Sequence, residues 1–244
     1  MEWHKRFVQQ AAWTSEIRLY LFKRAGMLAA RRVLEVGCGT GVILSGLATH
    51  AAIHGLDKDL ARLTEACHHA PKANLACADA LSLPYASGIF DITFCHFLLL
   101  WVGNPLQALC EMKRVTRPGG TILALAEPDY GARVDKPDEL AVLGRWQTES
   151  LRRQGANPAI GIQLPDLFRQ AGIRPIETGR LHTDGKHLPG PVDRELEWAV
   201  MEADLVGLAP VAEIQWLKRL DEAAWGRGER VLQVPTYWML GSSV

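Results

Sequence analysis

Net charge is the first thing this chain lacks: Lys plus Arg and Asp plus Glu each number 27 in 244 residues, so the formal net charge is zero. A balanced chain carries no global electrostatic footprint for nucleic acid or an anionic membrane, and neither is expected as a partner. Cysteine is sparse as well. The five copies, Cys38, Cys67, Cys77, Cys95 and Cys110, are odd in number, form no C-x-x-C pair and fall at apolar positions. That excludes a disulfide framework and predicts reduced thiols in the cytoplasm. Cys67, His68, His69 and Cys77 make no zinc site, because adjacent histidines on a helix point apart and the spacing matches no closed site. No metal is expected. Long apolar runs are also missing: the longest, Ile92 to Val102, is broken by Thr93 and His96, and Met1-Glu2-Trp3-His4-Lys5-Arg6 has no signal-peptide core.

What is present is a hydrophobic fraction of 48%, enough for one substantial core and a single domain. The chain is organised around Val33-Leu34-Glu35-Val36-Gly37-Cys38-Gly39-Thr40-Gly41. Val33, Leu34 and Val36 suit a buried parallel strand, and the alternating glycines leave no Cβ where a ligand must touch backbone. Val42 to Ala48 carries a helix onward. Glu35-Val36-Gly37-Cys38-Gly39-Thr40-Gly41 resembles the first motif of class I S-adenosylmethionine-dependent methyltransferases. It fits the dinucleotide fingerprint poorly, since Val42 stands where that pattern wants Gly or Ala.

A second strand, Ala52 to Asp57, ends in a carboxylate 22 positions after Glu35, and Asp59 is placed to cap the helix Leu60 to His69. A third, Asn74 to Ala80, contains Asp79 and leads into Leu81-Ser82-Leu83-Pro84-Tyr85, similar to the family's Asp-Ala-x-x-Leu-Pro-aromatic element. Phe90 to His96 is the fourth strand, Asn104 to Arg117 a helix, and Thr121 to Ala126 the fifth strand after a turn resembling the family's Pro-Gly-Gly turn. Carried over by this resemblance, S-adenosyl-L-methionine is the cofactor and S-adenosyl-L-homocysteine the product. Glu35, Gly37, Cys38, Gly39 and Gly41 belong to its loop. Asp57, with Lys58 beside it, takes the ribose hydroxyls, while Asp79 and Ala80 meet the adenine.

His96 has two open readings: a general base, or a cofactor contact that packs on adenosine or ties down the next loop. Glu127, Asp129, Tyr130 and Arg133 follow the fifth strand and are substrate-pocket candidates, with a solvated loop as the alternative. The helices of residues 3 to 25 are either a lid or plain packing. Beyond lie helices over Asp138 to Gln154 and Ile162 to Gly172, a strand over Ile173 to Leu181, helical sequence from Val192 to Trp225, and a last antiparallel strand over Arg230 to Leu240. Trp198, Met201, Leu205, Leu208, Trp216 and Trp225 line an apolar cavity or form core.

The expectation is an α/β fold: a doubly wound, mostly parallel seven-stranded sheet, Rossmann-like, with N-terminal helices and a helical insertion before the last strand. Residues 1–30 form the lid, 31–183 and 229–244 the core, and 184–228 the insertion over the substrate pocket. The resemblance, which extends to ubiquinone and menaquinone biosynthesis methyltransferases, implies methyl transfer to a small-molecule acceptor by a monomer or homodimer. The alternative is a catalytically silent S-adenosylmethionine-binding or scaffold protein. Asp57→Ala is expected to weaken S-adenosylmethionine binding by about 1 to 3 kcal/mol, the range for losing hydrogen bonds to a charged group. Calorimetric titration checks this, and unchanged affinity would remove Asp57 from the site.

Overall fold

The computed structural model describes residues 3–181 and 190–244. The N-terminal segment forms α1 (Trp3–Trp13) and α2 (Ser15–Arg24). Then come β1 (Arg32–Val36), α3 (Val42–Ser45), β2 (Ala52–Asp57), α4 (Leu60–His69), β3 (Asn74–Cys77), β4 (Phe90–Cys95), α5 (Pro105–Val115) and β5 (Thr116–Pro128). The second half runs β6 (Val134–Lys136), α6 (Ala141–Arg153), α7 (Ile160–Gln170), β7 (Ile173–Arg180), α8 (Pro191–Asp204), α9 (Val211–Arg227), β8 (Val231–Gln233) and β9 (Thr236–Ser243).

Seven strands lie in the order β3-β2-β1-β4-β5-β9-β7, and β9 runs antiparallel to both its neighbours. The order reverses between β1 and β4, which opens the ligand crevice of a doubly wound sheet at the ends of those two strands. The central strands are covered on both faces, and their side chains alternate between two cores. Leu34, Val36, Phe90, Ile122 and Ala124 pack with Leu109, Met112 and Phe168 on one side. Val33, Ile92, Phe94, Leu123 and Leu125 pack with Leu21, Phe22 and Met27 on the other. A parallel strand buried on both faces must be apolar at consecutive positions, so Glu35 stands out as a charged residue 2% exposed in the middle of such a run.

Local chemistry fixes the element ends. Asp59 caps α4 by accepting from the Ala61 and Arg62 amides, and Asn104 caps α5 by accepting from Gln107 with Pro105 behind it. Several expected boundaries move. The helix after the glycine loop stops at Ser45 instead of Ala48, with Gly46 following. The helix expected to reach Arg117 stops at Val115, because Pro118 disfavours helical backbone at Arg117, and Thr116 already begins β5. The last strand is not one run over Arg230 to Leu240. Pro235 has no amide to donate, so β8 pairs with β6 in a separate ribbon, and β9 starts afresh at Thr236. The part of the expected insertion at 184–189 lies outside the described residues. Among the described residues no helix is long and apolar enough to cross a membrane.

α7 approaches β5 through Gly161, where an added Cβ would collide with the Glu127 carbonyl and lie 2.8 Å from the Tyr237 ring. In an unpacked helix Gly→Ala gains up to about 1 kcal/mol. Here overpacking dominates, and Gly161→Ala is expected to destabilise by about 1 to 3 kcal/mol in urea denaturation. An unchanged or raised midpoint would show that α7 can retreat from the strand.

Candidate active site

The loop after β1 turns through Gly37 and Gly39, whose φ values of 75° and 52° lie in the left-handed region that favours glycine. The backbone is held from β2: the Gly37 and Cys38 amides donate to the Leu56 carbonyl at 2.7 and 2.9 Å, and the Gly39 amide donates to Asp57 Oδ2 at 2.8 Å. Asp57 Oδ1 accepts from the Asp59 amide at 2.9 Å, so the carboxylate is fixed, and each oxygen keeps lone-pair capacity for a ligand hydroxyl. A Cβ on Gly37 would meet the Leu98 side chain at 2.6 Å, and one on Gly39 would meet Phe7 at 2.9 Å. Apolar side chains from the turn after β4 and from α1 therefore wall the loop.

At the end of β1, Glu35 Oε2 has no hydrogen-bond partner. Burial pushes its carboxyl well above the usual range, the Arg18 guanidinium pulls it partly back, and Asp57 raises it. Arg18 acts on that carboxylate through space. Its own Nη1 donates to the Ala11 carbonyl at 2.8 Å and to Thr14 Oγ1 at 2.9 Å, which moors α2 above the crevice. An orphaned buried carboxylate oxygen across from a cation is a donor–acceptor set that suits a zwitterion, and the amino-acid end of S-adenosylmethionine is one. The residues present fit that group.

His96 is bound to the same cluster. Its Nε2 lies 3.0 Å from Thr14 Oγ1, and its ring stands edge-on to Phe97 at 4.7 Å. Burial and the Arg18 charge pull its pKa down to about 3, so at neutral pH it is an uncharged, weakly basic imidazole. A base with that value has little driving force to take a proton, which goes against the general-base reading of His96. The geometry makes it a tie between β4 and the N-terminal helices.

The end of β3 is open. Asp79 is exposed two residues beyond β3, its Oδ1 accepting from the Leu81 amide at 2.9 Å, beside buried Ala80. Lys58 is exposed, Cys38 is buried, and the Cys38 thiol is pushed up by burial and by the Glu35 and Asp57 charges. α1 closes the loop from above through His4, whose Nδ1 lies 2.9 Å from Thr40 Oγ1 and whose ring stacks on His69 at 3.6 Å.

The four candidates expected to follow the fifth strand separate, and Glu127 lies within β5 itself. Glu127 is fully buried and its carboxylate accepts from the Leu98, Leu99 and Leu100 amides at 3.1, 3.0 and 3.2 Å, so it is not free to bind substrate. Asp129 caps a turn by accepting from Gly131 at 3.0 Å. Arg133 is spoken for as well: its Nε and Nη2 donate to Asp135 at 2.7 and 2.9 Å, and Nη1 donates to Gln147. Asp135 also accepts from Arg230, which pairs with Asp221, the acceptor of the Trp198 indole at 2.8 Å. For Tyr130, burial raises the phenol, and the charges of Arg6, Glu197, Arg133 and Asp204 act on it.

Above this cluster, Trp198 and Met201 pack with Leu140, Leu143, Leu205, Ile214, Leu217 and Leu208, so most of the expected apolar stripe is core. Trp198, Met201 and Trp225 also border a cavity of about 50 Å³ with Arg133 and Glu197, whereas Trp216 is half exposed. Sequence reasoning missed Arg6, Phe7, Thr14, Arg18 and Leu98. The one available signal was the i, i+4 spacing of Thr14 and Arg18 at the start of a helix read as either lid or packing.

Residues 34–124 match the family described as Methyltransferase domain. The chain is 32% identical over 159 residues to the demethylmenaquinone methyltransferase of Renibacterium salmoninarum, covering 64% of this chain and 66% of that one. It is 30% identical over 192 residues to an O-methyltransferase of Pyrenophora dematioidea, covering 75% and 68%. The [4+2]-cyclase SpnF superimposes with a TM-score of 0.61 at 21% identity over 93% of this chain and 80% of that one, a likeness of fold. The chain spans about half the length of several curated relatives it matches.

Arg133→Ala would leave Gln147 Oε1 and Asp135 Oδ2 without a donor in an interior where Arg133 and Asp135 side chains are 4% and 2% exposed. The expected loss is about 3 to 5 kcal/mol of folding stability, read by denaturation without any ligand. A variant as stable as the parent would return Arg133 to the substrate pocket.

Proposed function

We propose, from the premise that this chain belongs to the class I S-adenosylmethionine-dependent methyltransferases, that it methylates a small-molecule acceptor by direct displacement. The observation that carries this reading is Glu35, buried with one oxygen unpartnered across from Arg18 at the switch point. When bound, S-adenosylmethionine supplies an electrophilic methyl on a sulfonium, whose carbon–sulfur bonding pair stays on sulfur as the acceptor's lone pair takes the methyl. The protein supplies alignment and exclusion of water.

In this reading Glu35 holds the ammonium and Arg18 the carboxylate of the methionyl end. Asp57 accepts from the ribose hydroxyls, and exposed Asp79 with the Ala80 amide meets the adenine. Phe7 and Leu98 give the apolar walls. The chain works as one domain, with residues 1–30 as the lid and 184–228 as the cover of the acceptor side. Tyr130 is the polar group that orients the acceptor beneath α8. The relatives are named for unlike acceptors, demethylmenaquinone and a malonyl-acyl carrier protein among them, so the reading stops at a small molecule for this chain. Likeness to a cyclase shows that the fold by itself does not choose the reaction, and methyl transfer rests on the sequence relatives.

Calorimetric titration with S-adenosylmethionine, S-adenosylhomocysteine and NAD tests the cofactor. The first two are expected to bind and NAD not. Arg18→Met is expected to cost about 1.5 to 3 kcal/mol for both, the value of a charge-assisted hydrogen bond. Binding of neither would refute the reading, and equal affinity in the variant would remove Arg18 from it.

A further inference from the structure

Phe97 is the one residue other than glycine with a positive φ among the described residues, at 51°, directly after the switch-point strand β4. Such a conformation persists only where its surroundings hold it. What holds it is visible on both sides. The Phe97 amide donates to the Ala126 carbonyl at 3.0 Å, and the next three amides converge on one carboxylate, Leu98 and Leu99 on Glu127 Oε1 and Leu100 on Oε2. From the far side the Asn157 amide donates to the Leu100 carbonyl at 2.8 Å. The turn so formed presents Leu98 to Gly37 of the cofactor loop.

We propose that Glu127 is a positioning residue that holds the turn 97–101 closed on the glycine loop, so that its carboxyl sets how firmly Leu98 walls the cofactor. The part concerning the cofactor rests on the methyltransferase reading; the part concerning the turn does not. From β4 the Cys95 thiol faces Glu127 Oε1 at 3.9 Å, and Glu35 of β1 acts on that same thiol. From β9, Tyr237 lies opposite in register, and from α7 the backbone at Gly161 closes over the Glu127 carbonyl.

Burial raises Glu127 to about 7, while the three amides and the Cys95 thiol pull the other way. The closed turn therefore binds a proton more tightly than an opened turn in which the carboxyl is hydrated at its ordinary value. Closure is fully favoured at low pH and loses ground as pH rises through about 7. Between pH 6 and 8.5 the opening equilibrium is expected to rise about tenfold.

Amide hydrogen exchange on the full chain without ligand tests this, corrected for the intrinsic pH dependence and referenced to the Ile122–Ala126 core. Wild-type protection at residues 98–100 is expected to fall about tenfold between pH 6 and 8.5, while Glu127→Gln, which cannot ionise, shows no step. Glu127→Asp ionises but reaches the amides less well, and is expected to keep a step from a lower starting protection. A step that survives in Glu127→Gln, or its absence in the wild type, overturns the assignment. Because no ligand is involved, this outcome is independent of whether the protein binds S-adenosylmethionine.

Discussion

A carboxylate buried at the end of a central parallel strand, with one oxygen lacking a hydrogen-bond partner, is the constraint around which the crevice is arranged. A lone ionised group taken out of water costs several kcal/mol, and proteins meet that cost by neutralising the group, pairing it or binding something to it. Glu35 shows the first two in part: its pKa is raised by burial and opposed by Arg18. Arg18 in turn is placed by Thr14, and Thr14 by the start of α2 and by His96. One sequence position on β1 thus determines what the N-terminal helices must bring to it.

The same helices face two ways. On α1, His4 and Phe7 are one turn apart and meet Thr40, His69 and Gly39 on the cofactor side. Arg6 and Gln9, also one turn apart, meet Glu197 and the Asp193 carbonyl of α8 on the acceptor side. Residues three apart share a helix face, and two such pairs offset along the helix give two faces. A single rigid helix therefore touches both halves of the site. The contact of Phe7 with Gly39 and the Arg6–Glu197 pair are carried by the same helix, which links the glycine loop to α8.

The placement of the glycine loop and the strand-end carboxylates was legible in the sequence because spacing along the chain maps onto neighbouring parallel strands. Glu35, Asp57 and Asp79 fall at or just past the ends of β1, β2 and β3, which are adjacent in the sheet. The acceptor half was misread for a matching reason. Glu127, Asp129 and Arg133 were grouped because they are close in sequence at the carboxyl edge of the sheet, yet each turns to a different partner, Asp129 only to the Gly131 amide two residues on. Glu127 turns to the amides of residues 98–100, and Arg133 to Asp135 and Gln147. Polarity in a loop shows that hydrogen bonds will be made; it does not show with whom. His96 was left with two readings, since its position at the switch point was legible while its basicity depends on burial and on Arg18, which comes from a distant segment of the chain.

The network of Arg133, Asp135, Arg230 and Asp221 shows why the second half resists sequence reading. Its members come from β6, the loop before it, the middle of α9 and the residue just before β8, and the two pairings of Arg230 are almost wholly buried. Buried pairs of this kind add little net stability over an apolar filling of the same volume, because desolvation offsets the attraction. What they add is direction. Here four charges and the Trp198 indole each have a specific partner, and together they tie α8 and α9 to the β6–β8 ribbon. The ribbon follows directly on the loop that carries Tyr130, so the packing of this region rests on a polar arrangement that no local pattern in the sequence encodes.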